Sequence, residues 1–302
     1  MVKSILLTGH TGFLGSVIHK ELKKSFHVLT LGRDVSCDYT IDFSEWDGSL
    51  ELKCSIDAIV HVAGLAHNKV KSKDEIFAVN SASVQHLLTL AIKNEIKTFT
   101  FISSTAVYGK TYGINIPENS SLKGNSNFAI SKIEAEKIIE SFKFESKLIL
   151  RLPLVIGPNP PGNLGKLLNS VASGSHVYLA GNQAKKSVVF ASDVANCISH
   201  WLLQKQKISG TMNLCNQSAP TFNWIENAIA ESGAFGYRLR IPVKFLWKTV
   251  YWMKAKLHIA VPLVGKLFYP LTFSDQLARE KFGYTSKPLN QKSFTNELNS
   301  NS

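Results

Sequence analysis

The 302-residue sequence predicts an α/β fold, a doubly wound parallel sheet with a second, smaller domain of mixed α/β structure. Short apolar runs alternate with longer amphipathic stretches through the first half of the chain, as strands and helices do in a parallel sheet. A glycine-rich turn, LLTGHTGFLG, follows the first of these runs directly. After Pro153 the alternation weakens, which indicates that later segments build a separate region.

Six apolar runs of five or six residues fit buried strands, because turn residues bound them. They are Ser4–Thr8, His27–Leu31, Asp57–Val62, Thr98–Ser103, Lys147–Leu152 and Thr211–Cys215. Longer stretches with one apolar face predict helices over Phe13–Lys24, Asp74–Lys93 and Ser126–Phe142. Ser187–Gln204 fits a strand followed by a helix, whereas GPNPPGN after Val155-Ile156 is typical of a loop.

The chain beyond Ser218 is aromatic, basic and without clear periodicity, and we expect its tail, Asn296–Ser302, to be frayed. We therefore predict that one domain contains residues 1–160 and 188–217. The second, smaller domain is predicted to contain residues 161–187 and 218–302.

The net charge of +12 favours an anionic partner. Nucleic acid is the weakest candidate, because the lysines are scattered and no nucleic-acid-binding motif is present. Phe245–Lys266 mixes aromatic residues with lysine and fits contact with a membrane surface, but a helix packed on its own domain is the better interpretation. Phosphorylated small molecules explain the charge best.

Three further features predict a cytoplasmic protein without a membrane span or a metal site. No apolar run reaches the roughly 18 residues of a spanning helix. The N-terminal apolar run, Ile5–Leu7, is too short for a signal peptide. Four cysteines lie far apart without a C-x-x-C pair, which favours reduced thiols over disulfides or metal ligands.

The glycine-rich turn predicts a dinucleotide site. Gly9, Gly12 and Gly15 lie between the first strand and the first helix. Glycine there permits a tight turn and close approach of the backbone to a pyrophosphate, whose charge the helix N-terminus favours. A plain strand-to-helix turn is the alternative, and the three-residue spacing makes it the less favoured one.

The end of the second strand favours NADP(H) over NAD(H). Arg33 lies eighteen residues after Gly15, where an NAD-preferring fold commonly carries an acid for the ribose 2′-hydroxyl. A guanidinium instead suits a 2′-phosphate. Asp34 follows directly and would still reach the ribose, and Arg33 as an ordinary surface cation is the other alternative.

Six motifs in order resemble those of the extended short-chain dehydrogenase/reductase family, which includes nucleotide-sugar epimerases, dehydratases and 4-keto reductases. They are TGHTGFLG, Asp42-Phe43, HVAG at His61–Gly64, Asn80, SSTAVYG at Ser103–Gly109 and RLPLVIGP at Arg151–Pro158. The resemblance implies a Rossmann fold, and it implies the following cofactor-binding residues. They are Gly9, Thr11, Gly12, Phe13, Leu14, Gly15, Arg33, Asp42, Phe43, Val62, Ala63, Gly64, Asn80, Ser103, Lys132, Pro153 and Val155.

Within this family, PPGNLGKLL and AGNQAKKSVVFASDVANCI are most similar to reductases of UDP-4-keto-6-deoxy-N-acetylhexosamines. This resemblance implies an NADP(H)-dependent reductase that works in surface-polysaccharide precursor synthesis. The substrate-binding residues that it implies are Ser104, Thr105, Asn163, Leu164, Tyr178 and Lys186. Lys186 replaces the usual arginine and keeps the charge, but it loses the bidentate fork toward phosphate.

The family's Tyr-x-x-x-Lys pattern is altered here to Phe128-x-x-x-Lys132. In the family the tyrosine supplies a proton to the developing alkoxide, and a neighbouring lysine cation lowers its reference pKa of about 10. Ser104, Phe128 and Lys132 are thus the predicted catalytic positions, although phenylalanine has no donor. A core aromatic beside a solvated lysine is the alternative if these residues are taken alone.

Three explanations of Phe128 stay open. In the first, Phe128 replaces an original tyrosine and so disables the site. In the second, the proton comes from Tyr108, Tyr112 or a water relayed by Ser104. In the third, the protein binds NADP(H) without turnover. A nucleotide-sugar 4-epimerase is the other enzymatic interpretation, since it uses the same residues but recycles its cofactor. We also expect a homodimer.

Overall fold

A seven-stranded parallel sheet forms the centre of the molecule, which confirms the predicted fold class. A computed structural model describes residues 2–66, 72–233, 239–242 and 268–300. The strands of this sheet are β1 (Ser4–Thr8), β2 (His27–Gly32), β3 (Tyr39–Thr40), β4 (Ala58–His61), β5 (Thr98–Ser104), β7 (Ser146–Leu152) and β11 (Gly210–Asn213). Their order across the sheet is β11-β7-β5-β4-β1-β2-β3, so the chain winds outward in both directions from β1 and β4.

The helices largely follow the predicted bounds in the first half of the chain. They are α1 (Phe13–Leu22), α2 (Lys73–Phe77), α3 (Ser83–Lys93), α4 (Asn127–Ser141), α5 (Gly162–Ala172), α6 (Ala191–Leu203), α7 (Phe222–Ser232), α8 (Gln276–Phe282) and α9 (Gln291–Asn299). A π-helical turn, Ala78–Ala82, joins α2 to α3, and a 3₁₀ turn, Thr105–Tyr108, follows β5.

Helices cover both faces of the sheet because alternate strand residues point to opposite sides. On β1, Leu7 belongs to a core cluster with Ile18 of α1 and Ile198 of α6. Its neighbour Leu6 belongs to a separate cluster with Leu87 of α3. The strands are buried on both sides, as expected for an all-parallel sheet.

Among the described residues, three short pairs of parallel strands lie outside the main sheet. Their strands are β6 (Gly113–Ile116), β8 (Leu154–Ile156), β9 (Val177–Ala180), β10 (Val188–Phe190), β12 (Leu239–Pro242) and β13 (Leu271–Phe273). Strand β8 pairs with β10, β9 with β12 and β6 with β13. Another core cluster contains Leu164 of α5, Phe190 of β10, Ile229 of α7 and Phe294 of α9. The residue bounds of the two domains stay a prediction.

The chain beyond Ser218 is more regular than its sequence predicts. Helices α7, α8 and α9 form there, and α9 begins with a reciprocal hydrogen-bonded cap between Asn290 and Ser293. The prediction of a frayed tail is wrong for Asn296–Asn299, because Glu297 is buried. Its carboxylate accepts hydrogen bonds from the Ser192 backbone N–H and hydroxyl, both at 2.7 Å. A tertiary contact that the local sequence does not encode orders this helix.

The predicted amphipathic segment, Phe245–Lys266, lies outside the described residues. Within the described ranges, no helix is long and apolar enough to cross a bilayer. The four cysteines, all of which are described, have free thiols.

Asp193, in the first turn of α6, fixes the segment before α9. Its Oδ2 accepts a hydrogen bond from the Lys287 backbone N–H at 3.1 Å. Burial raises the pKa of Asp193 to about 6, and the nearby Glu297 carboxylate adds to the effect. The folded protein therefore holds this proton more tightly than the unfolded chain does, and it carries the buried charge at a cost above pH 6.

We expect Asp193→Asn to raise the free energy of unfolding at about pH 8, by at most about 3 kcal/mol, because the amide removes the buried charge. Near pH 4 the carboxyl is already protonated in the folded state, so the effect should disappear. Urea unfolding at both pH values measures the difference. Asp47→Asn is the control, since hydrogen bonds from Ser49 lower the pKa of that exposed carboxyl and its loss should not stabilise. Equal stabilisation by Asp193→Asn at both pH values would contradict the assignment.

Candidate active site

The turn between β1 and α1 has the close backbone contacts that its glycines predict. Gly9 has φ +74°, and a Cβ there would lie 2.6 Å from the Ala63 backbone nitrogen. A Cβ on Gly15 would lie 1.9 Å from the Gly9 carbonyl oxygen. Gly12 is the N-cap of α1 and provides no side-chain cap. The turn thus presents backbone N–H groups of a helix N-terminus, which fits a bound pyrophosphate.

The end of β4 is tied to this turn through Thr8. The Thr8 hydroxyl accepts hydrogen bonds from the Val62 and Ala63 backbone N–H groups, both at 3.1 Å. It lies 2.7 Å from His61 Nδ1, to which it donates its one hydrogen. Burial lowers the pKa of His61 to about 3, so the ring is neutral. Sequence reasoning used His61 only as part of a motif and missed this role in holding Val62 and Ala63.

Asn80 joins the same edge of the sheet to α4. Its side-chain oxygen accepts a hydrogen bond from the Leu65 N–H at 2.7 Å, and its amide donates to the Ser131 hydroxyl at 3.0 Å. Asn80 lies in the π-helical turn, where the sequence predicts one unbroken helix over Asp74–Lys93. Periodicity could not reveal the extra residue in that turn, and π turns are frequent at functional sites.

Lys132 is a buried cation at this edge of the sheet. Lys132 is 5% exposed, and its Nζ donates a hydrogen bond to the Ile102 carbonyl at 2.9 Å. The ammonium also lies 4.4 Å from the centre of the Phe101 ring. Burial lowers the pKa of Lys132 to about 8, and the Glu136 carboxylate partly opposes this shift. Lys132 is therefore easier to deprotonate than an exposed lysine.

Gly64 is the point where three predicted cofactor residues converge. A Cβ on Gly64 would lie 3.1 Å from Asn80 Oδ1 and 3.3 Å from Lys132 Nζ. The glycine turn, the end of β4, the π-helical turn and α4 are thus in continuous contact. Gly9, Ala63, Gly64, Asn80 and Lys132 come from separate segments, and the fold brings these five predicted cofactor residues together.

Ser104 and Phe128 lie at this edge of the sheet, and both are half-buried. Ser104 is the last residue of β5, two residues beyond Ile102, and its hydroxyl accepts a hydrogen bond from the Ala106 N–H at 3.2 Å. Thr105 follows it in the 3₁₀ turn. Phe128 is half-buried in the first turn of α4, four residues before Lys132 on the same face. The arrangement supplies a hydroxyl and a cation but no phenol.

A buried ion pair, which sequence reasoning missed, holds α4 against the sheet. The Arg151 guanidinium contacts the Glu136 carboxylate through Nε at 3.1 Å and Nη2 at 2.7 Å. The same carboxylate accepts a hydrogen bond from the Ser103 hydroxyl at 2.5 Å. Ser103 is buried, so its hydroxyl is directed to Glu136 and not to a cofactor. Sequence analysis had no signal for this pair beyond the position of Glu136 four residues after Lys132.

Tyr108 does not fit the role of alternative proton source. It is fully buried, its hydroxyl donates to Asn213 Oδ1 at 2.7 Å, and it accepts from Arg151 Nη1 at 3.0 Å. Burial raises the pKa of this phenol above its ordinary value. Tyr112 is exposed, and its ring lies beside that of Tyr269 at a centroid distance of 6.1 Å.

The predicted cofactor residues that follow β2 differ in their exposure to solvent. Arg33 directly follows β2 and is exposed. The Asp34 carboxylate accepts hydrogen bonds from the Ser36 N–H and hydroxyl, at 2.9 and 2.6 Å. Phe43 is buried, with its ring edge-on to those of Trp46 and His61. Asp42 is half-buried and caps the Ser44 N–H at 2.9 Å.

On the other side of the edge, Pro153 and Val155 are half-buried around the start of β8. Thr11 is exposed in the glycine turn, and Leu14 packs into the core beneath α1. A Cβ on Gly157 would lie 3.0 Å from the Phe13 ring, so this ring contacts the loop after β8.

Four of the six predicted substrate residues lie within the predicted second domain, and their environments differ. Asn163 is exposed in the first turn of α5, whereas the Leu164 side chain is 2% exposed and belongs to the core. Only the Leu164 backbone is left to contact a ligand. Tyr178 is buried, and its ring lies edge-on to His176 at 4.8 Å.

Two contacts of titratable side chains lie near these residues. Lys186 Nζ donates to the Tyr269 carbonyl at 2.6 Å, and burial lowers the pKa of Lys186 to about 8. The His176 Nε2 atom lies 2.8 Å from the buried Glu226 carboxylate, a contact that the sequence did not indicate. Among the described residues, no group of three histidine, cysteine or acidic side chains is placed to hold a metal ion.

A family model described as the NAD dependent epimerase/dehydratase family matches residues 5–215. UDP-glucose 4-epimerase of Vibrio cholerae is 30% identical over 223 residues, which cover 66% of this chain and 68% of that protein. The N-acetyl-alpha-D-glucosaminyl-diphospho-ditrans,octacis-undecaprenol 4-epimerase of Escherichia coli O157:H7 is 24% identical over 212 residues, covering 67% and 64%.

Solved structures share the fold at lower sequence identity. UDP-glucose 4-epimerase of Thermotoga maritima, solved with UDP-glucose, has a TM-score of 0.73 and 18% identity, with 97% of both chains covered. The Bordetella bronchiseptica enzyme WbmG, solved with NAD, has a TM-score of 0.75 and 16% identity, with 98% and 93% covered. These likenesses extend over the second region as well as the sheet.

Proposed function

The chain belongs to the NAD dependent epimerase/dehydratase family, and on that premise we propose that it reduces the 4-keto group of a nucleotide-linked sugar with NADPH. The substrate we favour is a UDP-linked 4-keto-6-deoxy-N-acetylhexosamine, made for a surface polysaccharide. The observation that carries the proposal is the convergence of the glycine turn, Gly64 and Asn80 on the buried Lys132. That convergence supports a nicotinamide at the carboxyl edge of the sheet, next to Ser104.

The site's residues fit a dinucleotide. The glycine turn leaves no room for a Cβ at Gly9 or Gly15, and the uncapped N-terminus of α1 suits the pyrophosphate. A bound nicotinamide supplies the hydride. Ser104 would donate a hydrogen bond to the keto oxygen and orient it, and Lys132 would bind the ribose next to the nicotinamide. The positive charge of Lys132 would also stabilise the alkoxide that forms.

Phe128 removes one step from this scheme. The alkoxide needs a proton, and a phenol at position 128 would be the donor next to the Lys132 charge. Phenylalanine fills the same space without a hydroxyl. We therefore propose that this chain binds both ligands and turns over slowly or not at all. A non-catalytic binder of NADP(H) is the alternative that the same residue favours.

A 4-epimerase is the second enzymatic candidate, because both sequence relatives described above are 4-epimerases by name. An epimerase oxidises and then reduces the same carbon, so it consumes no cofactor overall. A reductase consumes one NADPH for each sugar. Absorbance at the NADPH band, measured alongside product analysis, separates the two reactions.

We expect NADPH to bind more tightly than NADH, because the Arg33 guanidinium is exposed at the end of β2. A charge-assisted hydrogen bond to a phosphate contributes roughly 1.5–3 kcal/mol, so the preference should be about ten-fold or more. Arg33→Asp should remove or reverse it in a fluorescence titration. Lys137→Asp, on the exposed side of α4, is the charge-matched control and should leave the preference intact. Equal affinities in the unmodified protein would contradict the assignment.

We expect Lys186→Ala to weaken UDP-sugar binding by about ten-fold or more while NADPH binding stays the same. The reason is the loss of the half-buried ammonium that we propose contacts the diphosphate. Calorimetry with each ligand measures the two affinities separately. Lys166→Ala removes an exposed lysine from α5 and should change neither. Normal UDP-sugar binding by Lys186→Ala would show that the diphosphate lies elsewhere.

We expect Phe128→Tyr to restore turnover of a UDP-4-keto sugar by about 10²–10⁴-fold, the usual contribution of general acid catalysis. Ligand affinities should barely change, because the ring already fills the space and the hydroxyl acts on the developing alkoxide. NADPH oxidation in the presence of the sugar measures the gain. Adding Lys132→Met should abolish it, since the phenol then lacks its cation. Background rates in Phe128→Tyr with normal ligand binding would favour a non-catalytic binder.

A further inference from the structure

Three large, mainly apolar side chains are exposed at the start of the short sheet formed by β6 and β13: Ile114 in β6, Tyr112 directly before β6, and Tyr269 two residues before β13. Tyr112 is 67% exposed, Ile114 71% and Tyr269 43%. Single exposed apolar residues are ordinary on protein surfaces, but a contiguous group marks a contact site. We call this group, with the exposed Lys110 and Lys185 beside it, the tyrosine patch.

The patch is built on paired backbone. The Gly113 N–H donates to the Pro270 carbonyl at 2.8 Å, and Gly113 pairs with Leu271. This pairing brings Tyr112 to Tyr269, whose ring centroids are 6.1 Å apart. Ile114 is the second residue of β6, two residues after Tyr112. The paired backbone therefore holds the two tyrosine rings side by side.

Cations flank these apolar groups. Lys110 lies two residues before Tyr112, and the Lys185 carbonyl accepts a hydrogen bond from the Leu271 N–H at 2.9 Å, next to β13. The acidic residue nearest in sequence, Glu118, is directed inward, where its carboxylate accepts from the Asn213 N–H at 3.0 Å. The formal charge of the whole chain is +12. Tyrosine and isoleucine surrounded by lysine suit the boundary between lipid headgroups and acyl chains.

We propose that the tyrosine patch docks the protein on an anionic lipid surface. Charge complementarity favours this occupant over a second copy of the chain, which carries the same charge of +12. Docking brings Lys186 next to the bilayer, because its Nζ donates to the Tyr269 carbonyl at 2.6 Å. Vesicle binding is measured without substrate, so the test of this surface does not depend on activity.

Co-sedimentation of the full chain with lipid vesicles tests the proposal. Vesicles of phosphatidylcholine with about one-third phosphatidylglycerol should bind the protein, whereas phosphatidylcholine alone should bind it weakly. Tyr112→Ser with Ile114→Ser should lower binding to the anionic vesicles by about ten-fold or more, through lost apolar contact. Lys110→Glu with Lys185→Glu should lower it as well and keeps the apolar residues, so a folding defect in the first variant does not decide the result.

The matched control is Ile92→Ser with Ile208→Ser, which removes two exposed apolar side chains from α3 and from the segment before β11. It should bind anionic vesicles as the unmodified chain does. The proposal is overturned if the unmodified chain does not bind the vesicles, or if both patch variants bind them as tightly as the unmodified chain does. Analytical ultracentrifugation gives the remaining outcome: a dimer that Tyr112→Ser with Ile114→Ser dissociates, without vesicle binding, would assign the patch to a second copy.

Discussion

The ion pair between Arg151 of β7 and Glu136 of α4 is the contact on which the geometry of the site depends. Both residues are buried, and burying two charges is costly unless their other hydrogen-bonding groups are satisfied. Here the carboxylate also accepts from Ser103, and the guanidinium also donates to the Tyr108 hydroxyl and the Glu118 carbonyl. Four segments of the chain therefore meet at one pair. A bidentate contact of this kind restricts α4 in both rotation and translation.

Fixing α4 fixes the functional face of that helix. Phe128, Lys132 and Glu136 recur at four-residue intervals, so the anchor, the cation and the position of the missing phenol share one stripe. Anchoring Glu136 to the sheet places Lys132 against the Ile102 carbonyl and the Phe101 ring. The burial that results lowers the pKa of Lys132 to about 8, while the Glu136 carboxylate favours its charged form. The ion pair thus stabilises the helix and influences the electrostatics of the site.

The glycine turn depends on a second, uncharged set of contacts. Gly9 touches the backbone of Ala63, and the Thr8 hydroxyl holds Val62 and Ala63 through their N–H groups. The hydroxyl can accept both bonds because it gives its own hydrogen to the neutral His61. Gly64, the residue after Ala63, lies close to both Asn80 and Lys132, and Lys132 is one helical turn before Glu136 on α4. The glycine turn and α4 are therefore positioned relative to each other by packed backbone as well as by side chains.

The sequence by itself determined the parallel sheet, the helices of its first half, the glycine turn and the four-residue spacing of Phe128 and Lys132. These features are local: strand and helix periodicity, turn residues and spacing along a helix are read within a few neighbours. Only the tertiary structure decided that Asn80 lies in a π turn, that Ser103 and Tyr108 serve the Arg151 network, and that the Leu164 side chain belongs to the core. It also ordered the C-terminal helix through Glu297 and Ser192, which are 105 residues apart in the chain. Each of these outcomes rests on a partner distant in sequence, and burial selects such partners only once the chain is folded.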